Sequence, residues 1–143
     1  MPWARALSSM KNSEADGRRW LSQAENDLGA AQLMVERAFY AQACFMCHQV
    51  AEKALKALAY YRGDRYVLGH SLLVLLREIV DTYSDMSQFE ALMRVLNQYY
   101  VPTRYPDALP GGTPFETYNQ GQAEEAVVGA SGLVDAAKGL ITA

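Results

Sequence analysis

Cys44-Phe45-Met46-Cys47-His48 has the C-x-x-C-H spacing through which haem is attached covalently, and two thiols with an imidazole are also typical metal ligands. A metal site needs further ligands, and His70 is the only other histidine. At helical periodicity both cysteines share an arc with Ala51, Leu55 and Leu58, which predicts buried core thiols with no haem, metal or other cofactor. Lys53 and Lys56 stand three residues apart, so a helix would carry both ammonium groups on one face. Between Ala51 and Arg77 five bases (Lys53, Lys56, Arg62, Arg65 and Arg77) outnumber two acids (Glu52 and Asp64). This excess could hold phosphate groups, although a solvated polar face is the plainer account of the same residues. Arg104 lies among Tyr99, Tyr100, Tyr105 and Tyr118. A guanidinium with stacked rings can bind a base and a phosphate. The same arginine could instead pair with Asp107 or cap the carbonyls of a preceding helix, with the tyrosines filling the end of a bundle. Gly111-Gly112 has no lysine directly following it and so does not support a nucleotide-hydrolysing glycine loop, and no serine-histidine-acid arrangement is visible.

The elements that must position these groups are helical. Residues 1–13 lack periodicity and are expected to form a flexible tail, leaving 14–143 as one domain. A first helix is predicted over about Asp16 to Ala38, burying Trp20, Leu21, Ala24, Leu28, Ala31, Val35 and Ala38. A second, over about Tyr40 to Arg62, is apolar around more than half its circumference, with Gln42, Gln49, Glu52, Lys53 and Lys56 in one narrow polar sector. It should be the central helix, stopped by Gly63. His70 then reads as an orienting or capping residue before Ser71, the cap of a third helix over about Leu72 to Thr82. A fourth is predicted over about Met86 to Tyr99. Four of the five prolines fall at every fourth position from Pro102 to Pro114, which excludes regular helix and predicts an ordered excursion. The last helix, about Gln120 to Ile141, should bury Ala126, Val127, Ala130, Leu133, Val134, Ala137 and Ile141. With no strand signal, the fold class is all-α, an antiparallel up-and-down bundle of about five helices.

At 143 residues the chain has the size of one domain, half hydrophobic and a fifth charged, as ordinary globular proteins are. Its net charge of −3 gives no overall attraction to nucleic acid or anionic membrane, so any anion site must be local. No run has signal-peptide character or the ~20 apolar residues that cross a bilayer. A cytoplasmic location without membrane contact is the expectation.

The run Cys44 to Arg62, followed by Gly69-His70-Ser71-Leu72 and by Thr103-Arg104-Tyr105-Pro106-Asp107, resembles the HEPN domain family. Trp20 with Ala24 and Asp27-Leu28, Gln49 through Ala57, Tyr100 and the alanine-rich last helix extend the likeness over about residues 18 to 142. The resemblance implies a helical bundle that forms a homodimer and works beside a minimal nucleotidyltransferase in a toxin-antitoxin-like pair. On that footing the chain is a nucleotide- or RNA-facing binding module, with Lys53, Lys56, His70, Arg104 and Tyr105 as its binding residues. The family also contains metal-independent endoribonucleases, whose arginine-x(4 to 6)-histidine motif has a histidine to move protons and an arginine to stabilise phosphate charge. Arg65 and His70 have that spacing, but the family motif lies late in the chain, where Arg104 has no histidine after it. Arg65, His70 and Arg104 are therefore the catalytic candidates of an alternative reading, and a structural protein-interaction adaptor is a third.

Overall fold

The computed structural model describes residues 2–142, with the side chains of 4, 5 and 12–141; Met1 and Ala143 lie outside it. Helix α1 runs Pro2–Glu36, α2 Tyr40–Tyr61, α3 Leu72–Ile79, α4 Glu90–Asn97, α5 Pro114–Thr117 and α6 Gln120–Thr142. A 3-10 helix, Ser84–Phe89, leads into α4, and a short 3-10 turn, Pro106–Ala108, interrupts the proline-rich loop. There is no strand among the described residues, and the expected all-α bundle is what the chain forms.

Because α2 is apolar on most sides, it becomes the axis of the bundle and packs against α1, α3, α4, α5 and α6. Leu55 and Leu58 of α2 are fully buried with Leu72, Leu76 and Ile79 of α3, Met93 and Leu96 of α4, and Leu133 and Ile141 of α6. Each such side chain contributes about 1.5–3 kcal/mol of burial. Cys44 and Cys47 are fully buried, as their arc predicts, and burial pushes both thiols up to about 12. At Gly17 the α1 and α2 backbones meet so closely that a Cβ would lie 2.9 Å from the Ala57 carbonyl oxygen and 2.7 Å from the Tyr61 Cβ.

Both turns flanking α2 are built by the same pair of bonds. After α2, Asp64 N–H reaches Ala59 O at 3.0 Å and Gly63 N–H reaches Tyr60 O at 2.9 Å, with Gly63 at φ +115°. This is a Schellman motif with glycine in its usual place. After α1, Phe39 N–H reaches Met34 O and Ala38 N–H reaches Val35 O, but the left-handed residue is Ala38, at φ +65°. Ala38 is therefore exposed and outside α1, not the end of its buried stripe.

Other boundaries also move. Helix α1 starts at Pro2, so residues 2–13 of the expected aperiodic tail are helical. Ala4, Arg5, Ala6, Leu7, Met10 and Lys11 are good helix formers, and proline is tolerated in the first turn, where its missing N–H leaves no bond unmade. The third helix stops at Ile79 and the fourth is regular only from Glu90, because Ser84–Phe89 takes the tighter 3-10 form. Helix α6 opens with a reciprocal cap: Asn119 Oδ1 accepts from Gln122 N–H at 2.9 Å, and Gln122 Oε1 accepts from Asn119 N–H at 3.0 Å. No described helix is long and apolar enough to cross a membrane.

Candidate functional site

Phe45, His48 and Glu52 recur at i, i+3 and i+7 along α2, so they lie on one face. Two loops close over that face. One leaves α2 at Gly63 and returns through Gly69, at φ +101°, to His70 and Ser71. Ser71 Oγ accepts from Val74 N–H at 3.4 Å, the predicted cap of α3, and Asn97 Oδ1 accepts from Leu72 N–H at 2.9 Å. The start of α3 is thus tied to the end of α4, from which the second loop departs. There buried Thr103 donates its hydroxyl to Tyr99 O at 2.8 Å, tightening the turn that carries Tyr100 and Arg104.

His70 Nδ1–H donates to Glu52 Oε1 at 2.7 Å, and the other carboxylate oxygen accepts from Lys56 Nζ at 3.4 Å. The Glu52 side chain is only 7% exposed while that of His70 is 57% exposed, so a buried carboxylate orients an accessible imidazole. The loop is also held by its backbone: buried His48 donates Nε2–H to His70 O at 3.1 Å and accepts at Nδ1 from Gln49 Nε2 at 3.3 Å. Those partners assign the neutral tautomer of His48. Burial lowers its pKa, opposed by the Glu52 charge and by the bond to His70 O, and assisted by His70 and Arg104.

The Tyr100 ring joins the two loops. His70 stacks on it with centroids 4.8 Å apart and planes at 21°, and the His48 ring also lies 4.8 Å away. The Arg104 guanidinium sits 4.6 Å from the Tyr100 centroid, 4.4 Å from Phe45 and 5.1 Å from Tyr105. Its Nε donates to Tyr100 O at 2.8 Å. Of the two structural alternatives for Arg104, capping a carbonyl just past the fourth helix is realised, whereas Asp107 forms no pair with it. The Arg104 terminal nitrogens, His70 Nε2 and the Tyr100 hydroxyl have no partner among the described residues. Outside the exposed residues every buried polar side-chain atom described is satisfied, so the Arg104 nitrogens and the Tyr100 hydroxyl are open to solvent, as is the largely exposed His70 ring. Together they offer a fixed cationic fork, an oriented imidazole nitrogen and a hydroxyl, a set suited to a phosphate oxyanion.

The other candidates lie elsewhere. Lys53 pairs with Asp27 of α1, and Lys56 is buried against Glu52 with its ammonium 5.7 Å from the Trp20 ring. Arg62 is bound by Asp64 and Asp81, and Arg77 by Glu90. Acids from distant segments thereby offset most of the local basic excess. Arg65 is exposed, makes no ion pair among the described residues, and lines a separate hollow with Asp16, Tyr60 and Tyr66. His70 thus shares the Tyr100 ring with Arg104, while Arg65 lies in that separate hollow. Glu52, His48 and Phe45 are site residues that sequence reasoning missed; their shared helical face beneath the Gly69-His70 turn was the available signal. Among the described residues no three of His, Cys, Asp and Glu are grouped to hold a metal ion.

Comparison with known proteins agrees with this architecture. The HEPN domain model matches residues 18–140. TT1696 from Thermus thermophilus is 38% identical, with a TM-score of 0.81 over 86% of this chain and 96% of that one. ST0689, an archaeal HEPN homologue, is 32% identical, with a TM-score of 0.73 over 88% and 98%. A HEPN domain protein from Thermotoga maritima, tm0613, is 28% identical, with a TM-score of 0.68 over 87% and 98%. None of the curated proteins matches the chain. The chain belongs to the HEPN domain family.

Proposed function

We propose that this HEPN domain is a nucleotide- or RNA-binding module that takes a phosphate group between Arg104, His70 and Tyr100. The observation that carries the reading is the Arg104 guanidinium, fixed by three aromatic rings and one carbonyl, with its terminal nitrogens unpartnered among the described residues. Tyr105, at the exposed edge of this cluster, supplies a ring on which a base can stack. The module acts as a homodimer beside a minimal nucleotidyltransferase, in a toxin-antitoxin-like pair, and Lys56 shapes the site through Glu52, which holds His70, while Lys53 is held on the α1 side by Asp27. The test is a thermal-shift titration with ATP, other nucleotides and short RNA. Ligand at one hundred times its Kd adds about 2.7 kcal/mol to the folded state, a rise of several degrees in Tm. The rise should vanish in Arg104→Ala. No shift in the wild-type protein would overturn this reading and favour a protein-binding adaptor.

The Glu52–His70 pair supports a second reading, a metal-independent endoribonuclease. With Nδ1–H held by Glu52, neutral His70 keeps its lone pair on Nε2, where it can take a proton from a ribose hydroxyl while Arg104 meets the charge developing on phosphate. RNA cleavage lost in both His70→Ala and Arg104→Ala, with the fold intact, sustains this reading; an intact RNA substrate with wild-type protein excludes it.

A further inference from the structure

A groove of about 690 Å³ runs along α1 beside Lys53, lined by Arg19, Trp20, Ser22, Gln23 and Asn26 together with that lysine. Its volume is within the roughly 300–1,000 Å³ of small-molecule sites. Its chemistry differs from that around Arg104. Both of its cations are already paired, Arg19 with Asp16 at 3.2 Å and Lys53 with Asp27. Gln23 donates its amide to Asp27 at 2.9 Å and keeps its carbonyl oxygen unused. Ser22 and Asn26 have no side-chain hydrogen bond among the described residues. Trp20 is held by stacking on Tyr60, with centroids 5.4 Å apart, and its indole N–H has no partner among the described residues. Since no buried polar side-chain atom is left unpaired among the described, non-exposed residues, of which Trp20 is one, that N–H is open to solvent. The groove therefore offers neutral donors and acceptors beside a fixed aromatic edge, the groups that read the hydrogen-bonding edge of an unpaired base.

The groove is mechanically joined to the phosphate site. The Lys56 ammonium lies over Trp20 and pairs with Glu52, and Glu52 holds His70. One buried ion pair thus backs both surfaces, which are reached from successive positions, Lys53 and Glu52, of the same helix. We propose that the groove takes a nucleobase of the same single-stranded ligand whose phosphate meets Arg104 and His70. This rests on the phosphate reading above and adds to it a ligand class, an oligonucleotide longer than one residue.

The test uses adenosine trinucleotide and pyrophosphate as probes. Affinities are measured by calorimetry, and Trp20 emission is read in a Trp3→Phe background, where Trp20 is the sole tryptophan. The trinucleotide should alter Trp20 emission and pyrophosphate should not. Ser22→Ala/Asn26→Ala removes two side chains that make no hydrogen bond among the described residues, so the fold should be retained. It should weaken trinucleotide binding about tenfold, the effect of losing two neutral hydrogen bonds, with little effect on pyrophosphate. Unchanged trinucleotide affinity with silent Trp20 emission would overturn the groove and leave the phosphate site standing. A wild-type protein that binds neither probe would overturn both.

Discussion

At Arg104 each guanidinium–ring contact contributes about 0.5–1 kcal/mol, so three together match the roughly 2 kcal/mol of rotamer entropy lost in fixing a long side chain. Among the described residues the fork is ordered without a carboxylate to neutralise it, which distinguishes it from Lys53 and Lys56. His48 is the counterpart beneath the loop, a buried imidazole kept neutral. Its folded pKa lies below the ordinary 6.5, so the unfolded chain binds the proton more readily. Its contribution to stability is full above that unfolded value, falls as pH drops through it, and levels off below the folded value. The Tm should therefore decline as pH falls through about 6.5, and His48→Gln should flatten that decline. An unchanged slope in the variant would place the acid sensitivity elsewhere.

Among the elements, two glycines of α1 carry opposite expectations, one at the contact with α2 and one facing open space. A Cβ at Gly17 would meet α2 backbone, so Gly17→Ala should destabilise by about 1–3 kcal/mol in urea unfolding, despite the better helix propensity of alanine. Gly29 has nothing within 4 Å of the same position, and Gly29→Ala should stabilise by up to about 1 kcal/mol. Equal effects at the two sites would contradict the close approach at Gly17. That approach was not legible in the sequence, since nothing marks which glycine of a helix faces a neighbour. The bounds of α2 were, because a broad apolar run ends at a glycine. The early turns of α1 were missed because residues 2–13 form helix without a periodic stripe, and the first Schellman turn because its left-handed residue is an alanine.

Across the whole molecule, the site exists only when three remote segments meet: the α2 face, the Gly69-His70 turn and the loop after α4. Residue type alone brought Arg104 and its tyrosines to notice. Glu52 was not legible, because an acid beside two lysines reads as part of a solvated face until the loop that carries His70 closes over it. The lysines were misleading for a related reason: the carboxylate that holds Lys53 is Asp27, on another helix. The central claim is that the bundle brings these segments together to present a guanidinium fork to phosphate, and Arg104→Lys tests it directly, keeping the charge while removing the fork. Calorimetric titration with a short single-stranded RNA should show affinity falling at least about tenfold in the variant. Equal affinity in wild type and Arg104→Lys would contradict the account, leaving Arg104 as a cap on the Tyr100 carbonyl and nothing more.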